Sequence, residues 1–304
     1  MSSPCLAVPL NVLNPGFEDI TGESPFNEFT FGPLNGWDLY DPSGITGGGA
    51  GGTYFIGTLT PFEPEPVANP GVYANFPAGA PEGQRVAIAF NFQGSDGQGE
   101  YGLQQILSDT LQPNTLYTLQ VEVGDIDSAT AMNGSFFPLE GFPGYRIDLF
   151  ARNPGGVEVD LESDNNSLAG LIDDGEFATS TITFVTGAEH PQLGNDLGIR
   201  LVNLNELDPD FPLSDIEVDF DDVRLEATVL TPGDLDGNGD VEGGDFLSWQ
   251  QNTANVYGAM DLSNWTSNYG VGPSPSASST HAVPEPSAVL ILLVAFLSWI
   301  RVLR

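Results

Sequence analysis

The chain has 304 residues, with 42 acidic residues, 7 arginines, 2 histidines and no lysine. Its formal net charge is −35 at pH 7. Phosphate backbones and anionic lipid head groups would repel such a surface, so nucleic-acid binding is excluded and cations are the natural partners, unless the acidity only keeps the surface solvated. A single cysteine, Cys5, excludes an internal disulfide framework, so stability has to come from a buried core and from metal.

The first eight residues, MSSPCLAV, contain neither the basic region nor the apolar run of a secretory signal peptide. The segment SPCLAVP is typical of the end of such a peptide. We therefore expect residues 1–8 to be a signal-peptide remnant whose start lies upstream. Cys5 lies in no lipobox, which argues against a lipoprotein anchor.

From residue 9 to residue 230, short segments with period-two alternation are separated by turn residues. No segment of comparable length keeps a helical period. The pattern predicts a mostly β domain, namely a two-sheet antiparallel β-sandwich of the jelly-roll type. The clearest strands are RVAIAF (85–90), LYTLQVEV (116–123), YRIDLFA (145–151), TSTITFVT (179–186), LGIRLVN (197–203) and IEVDFDDVRLEA (216–227).

Several phrases in this body occur in a recognisable order: NPGFED (14–19), GW (36–37), PEGQRVAIAF (81–90), QQILSDTLQPNTLYTLQVEVGD (104–125) and VDFDDVRLEA (218–227). That order resembles jelly-roll, galactose-binding-like carbohydrate-binding domains. Together with GYRIDLFA (144–151) and SDNNSLAG (163–170), it also resembles the cyanobacterial indole-terpenoid (Stig) cyclases, which are built on the same fold.

In domains of this kind the first and last strands lie side by side and commonly share a structural calcium ion. The resemblance implies that Glu18 in GFED and either Asp221 or Asp222 in FDDV are its ligands. A hard dication with oxygen ligands can tie together two chain ends that would otherwise fray. The alternative is that these acids are solvated at the rim of the sandwich.

A polysaccharide or matrix ligand would stack its sugar rings on exposed aromatic side chains. Five aromatic residues fall in or near predicted loops and are candidates for this role, although each can equally serve in core or rim packing. They are Trp37, Tyr40, Tyr54, Tyr73 and Tyr101.

Residues 231–271 contain the pattern of a twelve-residue calcium loop. With Asp234 at position one, Asp236, Asn238, Asp240 and Asp245 fall at positions three, five, seven and twelve, with position seven giving its backbone carbonyl. Calcium takes six to eight oxygen ligands, and this spacing curls them around one point. The sequence therefore predicts a calcium ion as cofactor.

Aspartate at the twelfth position, followed by FLSWQQN (246–252), resembles a dockerin type I repeat. The segment MDLSNWTSNYG (260–270) resembles the helix of a second repeat that has lost its calcium loop, with Asp261 at the twelfth position. The resemblance implies a small α-helical, EF-hand-like module with cohesin as a partner. A calcium-stiffened spacer is the alternative.

A Pro/Ser linker (272–282) leads to the final segment, VPEPSAVLILLVAFLSWIRVLR (283–304). Its apolar run 288–300 is short enough to be either a buried helix or a membrane span. Its position at the end of the chain and its basic flank, Arg301 and Arg304, favour a C-terminal transmembrane helix with a cytoplasmic end. A Pro-Glu-Pro motif, an apolar helix and a basic end in this order resemble the PEP-CTERM sorting signal. That resemblance implies export to the cell surface or beyond, transient anchoring in the inner membrane, and processing by an exosortase-type enzyme.

No metal-hydrolase or serine-hydrolase motif occurs in the sequence. We therefore predict an exported, non-catalytic protein that binds calcium and carbohydrate. The alternatives are a calcium-dependent enzyme on the same fold, either a cyclase or a glycoside-active enzyme, and a purely structural matrix component. In a cyclase, Asp221 or Asp222 with Tyr101 and Phe142 would form the site.

Overall fold

The computed structural model describes residues 6–26, 28–32, 34–47, 54–60, 75–92, 99–131, 134–252 and 256–272. The predicted signal-peptide remnant up to residue 5, the linker beyond 272 and the sorting tail therefore lie outside the described residues. None of the helices within these ranges is long and apolar enough to cross a membrane.

Fifteen strands and two helices are formed by the described residues. In chain order the strands are β1 (Val8–Pro9), β2 (Ser24–Phe26), β3 (Phe29–Phe31), β4 (Asp38–Tyr40), β5 (Tyr54–Leu59), β6 (Val86–Asn91), β7 (Tyr101–Thr110), β8 (Thr115–Asp125), β9 (Ala129–Thr130), β10 (Phe136–Phe137), β11 (Tyr145–Arg152), β12 (Glu158–Asn165), β13 (Glu176–Thr186), β14 (Asp196–Asn203) and β15 (Ile216–Val229). The helices are α1 (Gly243–Asn252) and α2 (Ala259–Asn268).

Two antiparallel sheets confirm the predicted β-sandwich. The eight-stranded sheet has the order β13-β8-β15-β6-β5-β3-β2, with β1 paired to β15. The five-stranded sheet has the order β12-β11-β14-β7-β4, and β9 and β10 form a separate ribbon. The first strand thus lies beside the last, as expected, with Val8 opposite Ala227.

The main core lies between the two sheets, where alternate residues of each strand point inward. In the five-stranded sheet Ile147, Leu149, Ile199 and Leu201 supply this face, and all four are fully buried. Their partners in the eight-stranded sheet come from β8 and β15; in β8, Leu119, Val121 and Val123 alternate with polar residues. This alternation is the period-two signal that the sequence shows.

Strand β15 changes phase in its middle. Val218 and Phe220 point into the main core before the change, and Val223 and Leu225 do so after it. The cause is a bulge between Asp221 and Arg224 in the pairing with β8, where one extra residue is inserted.

The two helices fold back onto the sandwich and belong to the same compact unit. The Oδ1 atom of Asp261, in the first turn of α2, accepts a hydrogen bond of 2.5 Å from the backbone N–H of Ala188. The N–H of Met260 donates to Glu189 Oε2 at 2.7 Å. The loop before α1 also packs on the sandwich, since a Cβ at Gly237 would lie 3.0 Å from Val185.

Candidate active site

The outer face of the eight-stranded sheet carries a second apolar cluster, separate from the main core. Strand β6 contributes Val86, Ile88 and Phe90, because its inward-facing residues are Ala87 and Ala89. Loops and neighbouring strands cover this face with Phe76, Ile126, Leu139, Phe137 and Phe177. Both faces of this part of the sheet are therefore buried, whereas antiparallel sheets commonly leave one face in contact with solvent.

Strand β15 places three carboxylates on this second face. Because Val218 and Phe220 point into the main core, Glu217, Asp219 and Asp221 must point to the other side of the sheet. In the pairing with β6, Glu217 lies opposite Phe90 and Asp219 opposite Ile88. Acidic side chains thus lie directly beside apolar ones in a buried layer.

Asp219 is the most enclosed of these acids. Its side chain is 0% exposed, and neither carboxylate oxygen has a hydrogen-bond partner among the described residues. On its other side it lies opposite Gly124 of β8. A Cβ at Gly124 would be 2.6 Å from the Phe177 ring and 2.9 Å from the Phe76 ring, so these two aromatic side chains close over the strand at this point.

Two further buried acids accompany Asp219. Glu217 is 3% exposed and Asp125, at the end of β8, is 5% exposed. Oε1 of Glu217 and Oδ1 of Asp125 likewise have no hydrogen-bond partner among the described residues. We call Glu217, Asp219 and Asp125 the buried carboxylates. Within the described part of the chain, none of them forms an ion pair with an arginine or a histidine.

Burial dominates the electrostatics of this group. Loss of solvation raises the pKa of Glu217 to about 8, with a smaller contribution from the charge of Asp215. Burial, followed by the charges of Glu217 and Asp125, raises the pKa of Asp219 well above its usual value. Burial and the nearby Asp174 and Asp208 raise the pKa of Asp125 to about 7. At neutral pH Glu217 and Asp219 are therefore held mainly in their protonated form in apolar surroundings, whereas Asp125, with a pKa of about 7, is partly ionised.

A protonated carboxyl group in an aromatic, water-poor layer is a proton donor. Such a group can act as a general acid when its pKa lies near or above the working pH. The aromatic rings of Phe76, Phe90 and Phe177 around it can stabilise a positive charge through their negative faces. The chemistry that the arrangement supports is protonation of an apolar substrate to give a cation.

Of the two alternatives for the sandwich calcium site, the structure turns Asp221 inward and Asp222 outward. Asp221 is fully buried, and its Oδ2 accepts from the N–H of Glu82 at 2.7 Å. Oε1 of Glu18 accepts from the N–H groups of the next turn of the same loop, Gln84 at 2.6 Å and Arg85 at 2.7 Å. Asp222 instead pairs with Arg224, with 3.2 Å between Oδ2 and Nε.

Glu18 and Asp221 thus hold one loop from both sides, although the described residues do not bring three acidic ligands together there. Burial raises the pKa of Asp221 to about 8, despite the two backbone N–H groups that it accepts. The calcium prediction for Glu18 and Asp221 stays a prediction.

The aromatic residues chosen for sugar stacking are placed differently from the expectation of exposed rings. Trp37 and Tyr101 are buried in the main core, so neither offers a face to solvent. Tyr40 is half-buried, with the Arg200 guanidinium 5.0 Å from its ring centre and its hydroxyl donating to Glu100 at 2.9 Å. Tyr54 begins β5, and Tyr73 lies outside the described residues.

The predicted calcium loop brings its acids together. Oxygen atoms of Asp234, Asp236 and Asp245 all lie within 4.8 Å of one another. Oδ1 and Oδ2 of Asp234 accept the N–H groups of Gly237 and Gly239 at 2.9 and 3.0 Å, which fixes the loop around it.

The remaining loop positions also lie where the calcium pattern places them. Asn238 and Asp240 are at the exposed tip, and Gly239 takes the positive φ of 92° that the sixth position requires. Burial raises the pKa of Asp234 to about 6, and the charge of Asp245 adds to this.

The second, incomplete repeat uses its acid differently. Asp261 is buried, accepting from Gly258 N at 2.8 Å at the start of α2 and from Ala188 N of the sandwich. Val241 of the first loop exchanges backbone hydrogen bonds with Val271 and Gly270, at 2.7 and 2.8 Å. The position-twelve acid of this repeat therefore anchors the module.

The cyclase site expected from sequence stays a prediction, although its members Asp221 and Tyr101 lie on opposite sides of the eight-stranded sheet. Tyr101 is enclosed in the main core, and Phe142 packs against the same core with its ring 6.0 Å from that of Tyr145. The buried carboxylates were missed. A signal for them was present, since EVDFD (217–221) places three acids at alternate positions of a strand next to the uniformly apolar VAIAF (86–90).

A family model and several solved structures agree on the family to which this chain is similar. The family model for HpiC1-like proteins, HpiC1 cyclase, matches residues 8–226. A cyclase from Fischerella sp. TAU is 34% identical, with a TM-score of 0.55, and the match covers 74% of this chain and 98% of that one. Comparison with curated protein sequences gives no match.

Two further structures of cyclases from the same organism are similar to this chain. One is a complex with 4-(1H-indol-3-yl)butan-2-one (35% identity, TM-score 0.55), and the other is the Stig cyclase Fisc in complex with (3Z)-3-(1-methyl-2-pyrrolidinylidene)-3H-indole (35% identity, TM-score 0.54). Each match covers 73% of this chain and 98% of the other. The expectation of a non-catalytic protein is therefore wrong, because the family and these neighbours are cyclases, which are enzymes. Through residues 8–226, the chain belongs to the HpiC1-like cyclase family.

Proposed function

We propose that this protein is a cyclase acting on an indole-terpenoid substrate, with Asp219 as the general acid. The observation that carries the proposal is the complete burial of Asp219, with both of its oxygen atoms free of hydrogen bonds among the described residues. A structural carboxylate in a protein interior is normally hydrogen-bonded or paired, because leaving it without a partner costs free energy. A functional role in proton transfer explains why such a group is retained.

In the proposed reaction, Asp219 transfers its proton to the substrate, and the resulting cation closes a ring by forming a carbon–carbon bond. Loss of a proton from the product cation then returns the carboxyl group to its starting state. Burial keeps Asp219 protonated before the reaction, and any ionisation of Glu217 or Asp125 would disfavour its ionisation further. Phe76 and Phe177 exclude water, which would otherwise capture the cation.

Substitution of the proposed acid tests this function. Asp219→Asn keeps the shape of the side chain and removes the transferable proton. General acid catalysis contributes about 10²- to 10⁴-fold, so the cyclisation rate should fall by that factor. The assay is single-turnover conversion of a geranylated indole, followed by chromatography.

The matched control is Glu226→Gln, which removes one negative charge from an exposed position on the same strand. It should retain the wild-type rate. An Asp219→Asn protein that is folded and cyclises at the wild-type rate would refute the assignment.

We also propose that the loop 234–245 binds calcium, as the twelve-residue pattern predicts. Calcium–oxygen distances of about 2.3–2.6 Å allow two ligands of one ion to lie up to about 5.2 Å apart. The carboxylates of Asp234, Asp236 and Asp245 fit this limit. Bound calcium would neutralise these carboxylates and stiffen the loop that packs on β13.

Titration calorimetry with calcium tests the loop. Asp234→Ala and Asp245→Ala should each abolish binding at this site. Asp240→Ala is the matched control, because position seven contributes its backbone carbonyl and the substitution leaves that atom in place. Equal loss of binding in all three variants would contradict the predicted ligand set.

The remaining sequence predictions concern partners and destination. Carbohydrate or matrix binding, a cohesin partner, export, the membrane anchor and exosortase processing stay predictions. Helices α1 and α2 support the dockerin resemblance, because they lie where the two repeats would have their helices. A cell-fractionation experiment on the natural host, with and without residues 283–304, would test the anchor.

A further inference from the structure

The module formed by residues 231–271 contains two repeats whose position-twelve acids are bonded in the same way. In the first repeat, Oδ2 of Asp245 accepts the N–H of Glu242, three residues earlier, at 2.7 Å, and Oδ1 accepts the N–H of Leu235, at the start of the calcium loop, at 2.6 Å. In the second repeat, Oδ2 of Asp261 accepts the N–H of Gly258, again three residues earlier, at 2.8 Å. Both carboxylates are fully buried in the first turn of a helix.

The partner of the other oxygen atom of Asp261 comes from the sandwich. Oδ1 accepts the N–H of Ala188 at 2.5 Å, and Ala188 lies in the segment 187–189, which directly follows β13. A Cβ at Gly187 would lie 2.5 Å from the same Oδ1 atom, so the lack of a side chain there lets the carboxylate approach the backbone. The segment 187–189 thus provides for the second repeat what the start of the calcium loop provides for the first.

Two further contacts join the second repeat to this segment. Oε2 of Glu189 accepts the N–H of Met260 at 2.7 Å, in the first turn of α2, where a negative charge also suits the helix dipole. The ring of Tyr257 lies against the sandwich, since a Cβ at Gly187 would be 2.8 Å from its Cδ1 atom. The second repeat is therefore completed by three consecutive residues of the sandwich.

Tyr257 also contacts the calcium loop of the first repeat. Its hydroxyl donates to the backbone carbonyl of Leu235 at 3.0 Å, and its side chain is buried. Leu235 directly follows Asp234, the first proposed ligand, and its N–H donates to Asp245, the last one. One side chain thus contacts both the loop proposed to bind calcium and Gly187 of the sandwich.

Neither helix capping nor a second ion accounts for the surroundings of Asp261. Capping explains its bond with Gly258, but not the bond with Ala188 or the complete burial of the carboxylate. A second calcium ion would need several oxygen ligands, and within the described residues three acidic groups approach within 4.8 Å of one another only at the first loop. Backbone N–H groups, rather than an ion, therefore satisfy this carboxylate.

We propose that the segment 187–189 replaces the lost calcium loop of the second repeat, so that calcium binding to the loop 234–245 and docking of the module on the sandwich stabilise each other through Tyr257. The inference rests on the calcium site proposed above. Because coupling between two equilibria is reciprocal, calcium tightens the docked contact, and the contact raises the affinity for calcium by the same factor. The module then stabilises the cyclase domain in a calcium-dependent manner.

Hydrogen exchange measured by mass spectrometry on the full chain tests the coupling. Calcium should slow the exchange of the segment 187–189 at least about fivefold, the lower end of typical coupling between sites, although this segment contains no proposed calcium ligand. Asp234→Ala removes a proposed ligand and should abolish the effect. The turn 153–157 between β11 and β12 is the internal control, and its exchange should not respond to calcium.

Two variants test the route of the coupling. Tyr257→Phe keeps the ring against the sandwich and loses the hydroxyl that donates to Leu235, so calcium should slow the exchange of 187–189 less than in the wild type. Asp261→Ala removes the acceptor for the N–H of Ala188, so titration calorimetry should show at least about fivefold weaker binding of calcium to the loop. Tyr257→Phe alone carries the test if Asp261→Ala fails to fold.

Calcium that binds the loop and leaves the exchange of 187–189 unchanged would overturn the inference. An equal effect of calcium in Tyr257→Phe and the wild type would also overturn it. So would the loss of a whole calcium site in Asp261→Ala, because Asp261 would then be a ligand of a second ion. Absence of calcium binding in the wild type would instead refute the calcium site itself, and the coupling with it, so calorimetry on the wild type tells the two failures apart.

Discussion

Replacing Glu217 with glutamine should stabilise the protein at alkaline pH and leave it unchanged in acid. Glu217 is 3% exposed beside Phe90, and its pKa is raised from 4.5 to about 8, mainly by burial. Glutamine has nearly the shape of a protonated glutamic acid and cannot ionise. The substitution therefore removes the free-energy cost of ionisation alone.

The sign and size of the effect follow from proton linkage. Between pH 4.5 and about 8 the folded state holds the Glu217 proton and the unfolded state has released it, so stability falls as the pH rises. The slope for one group is about 1.4 kcal/mol per pH unit. Across this window the loss in the wild type is on the order of 5 kcal/mol, and above about pH 8 it levels off.

Urea denaturation at pH 5, 6, 7 and 8, followed by tryptophan fluorescence, gives the free energy of unfolding of both proteins. The advantage of Glu217→Gln should be below about 1 kcal/mol at pH 5 and should grow at each step. Glu226→Gln, an exposed change of the same chemistry, should show no such trend. A difference that is constant with pH, or a variant less stable than the wild type at pH 8, would refute the argument that Glu217 is buried without compensation.

Three further outcomes are expected. Gly124→Ala should cost about 1–3 kcal/mol in the free energy of unfolding measured by urea denaturation, because its Cβ would lie 2.6 Å from the Phe177 ring; an unchanged value would show that this ring does not cover the strand. Calcium at 100 times its Kd should stabilise the wild type by about 2.7 kcal/mol in calorimetric melting. The same concentration should not stabilise Asp234→Ala, and stabilisation of this variant would show that calcium binds elsewhere. Asp221→Ala should lower the free energy of unfolding by about 1–3 kcal/mol, because it loses two hydrogen bonds from backbone N–H groups. Asp222→Asn should change it by no more than about 0.5 kcal/mol in chemical denaturation. Equal losses would contradict the opposite orientations of the two side chains.

The sandwich was predictable because its central strands alternate strictly. Each of the six segments identified from the sequence corresponds to a strand, from β6 to β15. Strand β12 was not identified because it is an edge strand with mostly exposed residues, EVDLESDN, and shows no apolar alternation. The short strands β1 and β4 depend on pairing with the distant strands β15 and β7, which local sequence does not reveal.

The calcium loop was predictable for a different reason, since its ligands are close in sequence. The buried carboxylates come from β8 and β15, and their position depends on which face of the eight-stranded sheet the surrounding loops cover. Alternation alone assigns Asp219 to the face opposite the main core, which in a simple sandwich is solvated. Only the placement of Phe76 and Phe177 over that face turns Asp219 from a surface residue into a candidate acid.

The bulge in β15 separates two halves of the strand, and each half alternates regularly between the core and the opposite face. Upstream of it, the residues facing away from the core are Glu217, Asp219 and Asp221, and downstream they are Arg224 and Glu226. Loss of one residue at Asp221–Asp222 would remove the bulge and restore unbroken alternation, with Phe220, Val223 and Leu225 all still facing the core. The extra residue is therefore not required to bury the apolar side chains of β15, and what it changes is the direction of two neighbouring acids, since Asp221 is buried and Asp222 pairs with Arg224.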